Sequence, residues 1–234
     1  MSKFAVIAFA TAVMFAELTL ADEPKPEMAF RNFAAVGDTD SVRELINSGV
    51  EVDAQNQFGK TALMLAVESN SMETVVLLLA RGADVNKRTV AGCTALTFAA
   101  ENGHAAITAL LLETGADVTA RTRAGWNALM IASRYGYTQL VDQLLFVGAD
   151  PNVADRNGQT ALMYAVENDH TDIVKLLARA GADMNVQDKS GSTALTLALE
   201  SSNRELVRIL RSLGAESQIR NLEVNANANL VVGD

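Results

Sequence analysis

The chain has 234 residues, 49% of them apolar, and carries a formal net charge of −9 at pH 7. Enough apolar side chain is present to bury a substantial core, so disorder is not its default state, and the acidic balance argues against nucleic acid and anionic membrane surfaces as partners. A single cysteine, Cys93, excludes an intrachain disulfide and any cysteine-based zinc site.

Ser2 and Lys3 give a short positive start, Phe4 to Ala16 is uncharged and mostly apolar, and Thr19-Leu20-Ala21 places small residues where a signal peptidase inspects them. Residues 1–21 are therefore expected to be a cleaved signal peptide, with the mature chain starting at Asp22 in a periplasm or outside the cell. A membrane span needs roughly 20 uninterrupted apolar residues, and Glu17 breaks this stretch. No membrane association is expected after cleavage.

From residue 56 onward the sequence repeats. Gly59-Lys60-Thr61-Ala62-Leu63 returns as Gly92-Cys93-Thr94-Ala95-Leu96, Gly125-Trp126-Asn127-Ala128-Leu129, Gly158-Gln159-Thr160-Ala161-Leu162 and Gly191-Ser192-Thr193-Ala194-Leu195. Every step is 33 residues. A second series, Gly82-Ala83-Asp84 through Gly214-Ala215-Glu216, keeps the same phase. Within one unit, Thr61 can cap a short helix that buries Leu63, Ala66 and Val67, residues 70–72 turn the chain, and Thr74 to Ala80 supplies a second helix. Gly82 ends it, because glycine adopts the left-handed C-cap conformation at little cost. Ala66 recurs as Ala99, Ala132, Ala165 and Ala198, which marks a close helix–helix approach.

These units resemble ankyrin repeats, whose pattern reads roughly D-x-x-G-x-T-P-L-H-x-A-A, then G-H, V-V-x-L-L-L and G-A-D-V-N. The resemblance implies an all-α repeat solenoid of stacked helix-turn-helix units with short β-hairpin loops. It assigns residues 22–55 to a leader and degenerate N-terminal capping unit, in which Phe30 stands for the usual leucine. Five repeats follow at 56–88, 89–121, 122–154, 155–187 and 188–220, and 221–234 is read as a flexible tail. Arg204, Arg208 and Arg211 suit the outer face of a closing unit. The sequence departs from the pattern in having alanine where the family favours proline. It also has Met64, Thr97, Met130, Met163 and Thr196 where the family favours histidine, so the usual threonine–histidine bond is expected to be lost.

No catalytic triad, phosphate loop or metal cluster is present in the sequence. The chain is read as no enzyme and as needing no cofactor. His104 and His170 are two repeats apart, at the same position of the unit, so they cannot share one metal or substrate. Glu68, Glu101, Glu167 and Glu200 form a row expected on the concave face, interrupted by Arg134. The unit at 122–154 stands out, with Arg123, Trp126, Arg134 and Tyr135 at positions the family commonly uses for recognition. Such residues dominate binding hot spots. Phe58 and Tyr164 are expected to extend the patch, and Glu101 and Glu167 to flank it; the alternative for Trp126 is that it covers a neighbouring hairpin.

The resemblance implies a monomeric, non-enzymatic adaptor that holds one protein partner. The resemblance to exported bacterial ankyrin proteins suggests two narrower roles, support of a periplasmic catalase and peroxide resistance or immunity against a secreted toxin, and action as a host-directed effector is a third alternative.

Overall fold

The computed structural model describes residues 25–215. The expected signal peptide, Pro24 and the expected tail lie outside them. The described residues form twelve helices in six pairs. The pairs are α1 (Pro26–Val36) with α2 (Thr39–Asn47), α3 (Ala62–Glu68) with α4 (Met72–Ala80), α5 (Ala95–Asn102) with α6 (Ala105–Glu113), α7 (Ala128–Tyr135) with α8 (Thr138–Phe146), α9 (Ala161–Glu167) with α10 (Thr171–Arg179), and α11 (Ala194–Glu200) with α12 (Arg204–Ser212). The first helix of each pair packs on the first helices before and after it, and the second helices make a looser outer layer. The result is an all-α repeat solenoid.

Residue choice explains each first helix. Thr61, Thr94, Asn127, Thr160 and Thr193 sit in extended backbone, and their side-chain oxygens accept from the N–H three residues on, at 2.9–3.4 Å. Alanine fills the next position and is buried in all five units, and its helix propensity supports the first turn where proline would be expected. The expected loss of the threonine–histidine bond is made good in two units. Thr97 and Thr196 accept from the backbone N–H of Thr94 and Thr193 at 2.8 and 2.7 Å, which closes a reciprocal capping box. Ala66, Ala99, Ala132, Ala165 and Ala198 are fully buried where the first helices approach. Phe30 is fully buried too, filling the leucine position of the first pair.

The two histidines have structural work. His104 and His170 begin α6 and α10, and their Nε2 atoms lie 3.3 Å from the Glu68 carbonyl and 3.0 Å from the Arg134 carbonyl. Each thus ties a second helix to the end of the preceding unit's first helix. The His170 ring covers Gly136 so closely that a Cβ there would lie 2.6 Å from it.

Between units the chain projects as fingers, which are tighter than the expected β-hairpins. The only bridge assigned among the described residues joins Ala154 and Thr160. Each finger is closed by a side chain at one repeat position: Asn56, Thr89, Thr122, Asp155 and Asp188 accept from the N–H four residues on. Successive fingers are joined by backbone bonds, Val90 N–H to Phe58 O, Arg123 to Ala91, Arg156 to Ala124 and Lys189 to Asn157, at 2.8–3.1 Å. That junction demands glycine. Gly59, Gly125 and Gly158 have φ of 77°, 91° and 84°, and a Cβ on any of them would lie 2.9 Å from the next finger's backbone.

Asp188 shows what these turns imply for pH. Slight burial pushes its carboxyl up, but bonds from the Ser190 hydroxyl and from the N–H groups of Ser192, Ser190 and Gly191 outweigh it and hold the group below the ordinary aspartate value. A depressed folded-state value stabilises the fold above the unfolded-state value and loses that contribution as pH falls through the folded one. Asp188→Asn should therefore flatten the acid limb of a stability–pH curve below about pH 4, and an unchanged limb would contradict the assignment.

A second ladder runs along the finger bases. Asn86 accepts from Asp117 N–H and donates to Gly115 O, and Asn152 does the same with Asp183 and Gly181. Thr119 occupies that position in the unit between and turns instead to Asp117, its hydroxyl lying 2.6 Å from Oδ1. Thr119→Asn should restore two bonds, each contributing about 0.5–1.5 kcal/mol, and raise the melting temperature. A lower melting temperature would show that the Asp117 contact outweighs the ladder.

Candidate protein-binding face

The fingers and the first helices border a trough, and a groove opens in it over the units from 56 to 154. An open groove of about 750 Å³ is lined there by Phe58, Val90, Ala91 and Cys93 of the fingers, by Phe98 and Ile131 of α5 and α7, and by Trp126 and Tyr135, with Lys60, Glu101 and Arg123 at its margins. Phe58 is 62% exposed and Tyr135 45%. Phe98 and Ile131 occupy one repeat position and are nearly buried, so they form the floor.

The groove is set rigidly at both ends. Lys60 Nζ donates to both carboxylate oxygens of Glu68 at 2.6 and 2.9 Å and lies 4.7 Å from the Phe98 ring centroid. At the other end the Tyr135 ring stacks on Tyr137 at 6.0 Å. The Arg134 guanidinium lies over Trp126 at 4.9 Å and over Tyr135 at 5.9 Å, within the range of a cation–π contact.

Beside it, Trp126, Arg134, Asn157, Gln159, Tyr164, Glu167 and Asn168 line a polar hollow of about 440 Å³. Its organising group is Asp155, which is only 7% exposed. Asp155 Oδ1 accepts from the N–H groups of Asn157 and Gln159 at 2.8 and 2.9 Å. Its Oδ2 accepts from Trp126 Nε1 at 2.9 Å and from the Tyr164 hydroxyl at 2.8 Å. The Trp126 and Tyr164 rings meet at 5.0 Å. Burial, the bond to Asp155 and the nearby carboxylates together push the Tyr164 phenol above its ordinary range, so it stays a neutral donor. Burial also raises Glu167, against the bond from Gln159 Nε2 and the charge of Arg134, with Asp188 and Asp155 adding to the rise.

The predicted site residues thus divide. Phe58, Arg123, Trp126, Tyr135 and Glu101 share the groove, and Trp126, Arg134, Tyr164 and Glu167 share the hollow next to it. Tyr164, expected to extend the patch, lines the hollow but is only 4% exposed, its ring packed against Trp126 and its hydroxyl bonded to Asp155. Trp126 itself is half-buried with its N–H committed, which is the geometry of a residue covering the next finger as well as presenting an edge to the groove. The glutamates are not equivalent either, since Glu68 is paired with Lys60 and Glu167 is bonded by Gln159, while Glu101 is exposed at the groove margin.

Asp155 and the floor residues Phe98 and Ile131 were not singled out from the sequence. A signal for Asp155 existed, because it is the one finger-closing carboxylate with a tryptophan one unit before its own Gln159 and a tyrosine nine residues on. Among the described residues no group of three or more His, Cys, Asp or Glu side chains is arranged to hold a metal ion, and no helix is long and apolar enough to cross a membrane.

None of the curated proteins matches the chain. A family model described as ankyrin repeats, in three copies, matches residues 31–122 and 124–221. Those two stretches cover most of the sequence and take in every helical pair described above, including most of the degenerate first one, and on this evidence the chain belongs to the ankyrin-repeat family.

Proposed function

We propose that this protein is an exported, monomeric adaptor that holds one protein partner in the trough between its fingers and first helices. Ankyrin repeats serve as protein-interaction modules and are typically non-enzymatic. The observation that carries the proposal is the groove itself. Large side chains such as Phe58 and Tyr135 stand exposed on a braced backbone around an apolar floor, as in the packed centre of an interface. Open on one side and lined by few polar groups, it suits an inserted side chain or segment better than turnover of a small molecule.

Export rests on the composition of residues 1–21 and is tested by mass spectrometry of the secreted or periplasmic fraction, where a chain beginning near Asp22 is expected and intact cytosolic protein would remove the claim. The narrower role we favour is support of a periplasmic catalase, which the resemblance to exported bacterial ankyrin proteins implies. Peroxide sensitivity of a deletion strain, restored by the wild-type chain and not by a groove variant, is the expected result. Toxin immunity would appear instead as protection against a rival cell with no change in peroxide resistance.

Phe58→Ala and Tyr135→Ala test the binding face without disturbing the Asp155 bonds. Each should weaken capture of the native partner by at least tenfold, in line with about 1.4 kcal/mol or more for an anchoring aromatic, at an unchanged melting temperature for Phe58→Ala and a slightly lowered one for Tyr135→Ala, whose ring stacks on Tyr137. Full capture by the double variant would sink the assignment.

A further inference from the structure

The tips of the fingers carry a pattern along the array that the groove alone does not explain. At one repeat position stand Gln57, Val90, Arg123, Arg156 and Lys189, so the edge passes from apolar, with Phe58, Val90 and Ala91, to three successive cations. All three cations are exposed. Their backbone N–H groups are the ones bonded to the preceding finger, which fixes their register. Arg134 stands behind them over Trp126.

Arg123, Arg156 and Lys189 form no ion pair with the described residues of this acid-rich chain, whereas Arg134 is held over the Trp126 and Tyr135 rings. The ion pairs among the described residues are Arg43–Asp40, Lys60–Glu68, Lys87–Asp84 and Lys175–Asp172, and none involves Arg123, Arg134, Arg156 or Lys189. Nearby carboxylates are engaged elsewhere. Asp155 and Asp188 close their own fingers, Glu68 holds Lys60, and Glu167 is bonded by Gln159, so that of the glutamate row Glu101, at the groove margin, and Glu200, in the last unit, stand exposed without such a bond.

Resting on the adaptor reading above, we infer that the occupant of this edge is an extended acidic segment of the partner protein. A bulky apolar residue of that segment enters the groove beside Phe58, Val90 and Tyr135, and its carboxylates follow over Arg123, Arg156 and Lys189. Complementary charge sets direction: the apolar anchor lies toward the N-terminal units and the acids toward the C-terminal ones. The net charge of −9 does not prevent this. At physiological ionic strength fields between exposed charges fade over about 8 Å, so the local row governs the contact. A polyphosphate is the poorer match, because it carries no apolar residue to seat in the groove beside Phe58, Val90 and Tyr135.

The test uses the full chain and fluorescein-labelled peptides carrying one tryptophan followed by glutamates spaced by glycines. Counterparts with glutamine or lysine in place of glutamate, and a labelled single-stranded oligonucleotide, complete the set. Anisotropy should show the glutamate peptide binding about tenfold tighter than the glutamine one, as a few exposed pairs of up to about fivefold each would give. The combined variant Arg123→Ala, Arg156→Ala, Lys189→Ala should bring the two peptides to equal affinity without changing the glutamine value, and added salt should do the same to the wild type. Equal binding of glutamate and glutamine peptides, preference for lysine, uptake of the oligonucleotide instead, or no binding of any probe overturns the inference. Loss of native-partner capture in the Phe58 and Tyr135 variants would still stand in each of those cases, so failure here is distinct from failure of the adaptor reading.

Discussion

Replacing Leu129 by aspartate should abolish the single cooperative unfolding transition of the array. Leu129 is 1% exposed in α7, which packs between α5 and α9 in the core shared by the central and C-terminal units. A charge buried there without a partner costs several kcal/mol, more than most single substitutions. Because each unit contacts only its neighbours, a break at the centre separates two halves that must then stand alone. Leu129→Ala supplies the graded reference, at about 2–5 kcal/mol. In urea monitored by circular dichroism, the aspartate variant should show either two transitions or no folded baseline. A melt like the parent's would mean that Leu129 does not face the core.

The second large effect is expected at Asp155. Asp155→Ala removes the acceptor of four bonds at once and leaves the Trp126 and Tyr164 donors beneath the face without a partner. An orphaned buried donor costs about 1–3 kcal/mol. Water can reach the half-buried Trp126, so a total of about 3–5 kcal/mol is expected, with a red shift of the single tryptophan's fluorescence. Tyr164→Phe deletes one donor and leaves Asp155 three, so it should cost only about 1 kcal/mol. Equal effects of the two substitutions would contradict the view that Asp155 organises the hollow. By the same reasoning Trp126→Ala should lower stability as well as binding, since it strips a ring packed on Tyr164 and an N–H donor to Asp155. It is therefore a poorer probe of recognition than Phe58→Ala.

The repeat period made most of the fold legible. The capping position (four threonines and Asn127), the alanine row and the glycine series each state a local requirement five times over, and the structure places them at helix starts, helix contacts and finger junctions. What repetition conceals is how one unit departs from the others. Tyr164 shares its repeat position with Leu65, Phe98, Ile131 and Leu197, and an inward-facing position reads the same whether its side chain is floor or contact surface. Only the hydroxyl's direction toward Asp155 decides it. Likewise, the sequence leaves Trp126 between a recognition anchor and a cover for the neighbouring finger, because Lys60, Cys93, Gln159 and Ser192 at that position elsewhere show no preference for either. The finger carrying Asp155 is one repeat away in sequence but adjacent in space, and that adjacency is what half-buries the indole.

Binding at the inner face has a natural competitor on the same molecule, since Phe146 is 91% exposed at the end of α8 and Val76 is 48% exposed on α4, both in the outer layer. Hydrogen–deuterium exchange of the chain with and without its captured partner separates the two surfaces directly. Protection is expected in the finger segments 57–60, 90–93 and 123–126 and at the end of α7, with α4 and α8 unchanged. Protection confined to α4 and α8, with the fingers exchanging as in the free chain, would contradict the assignment of the groove as the partner's seat.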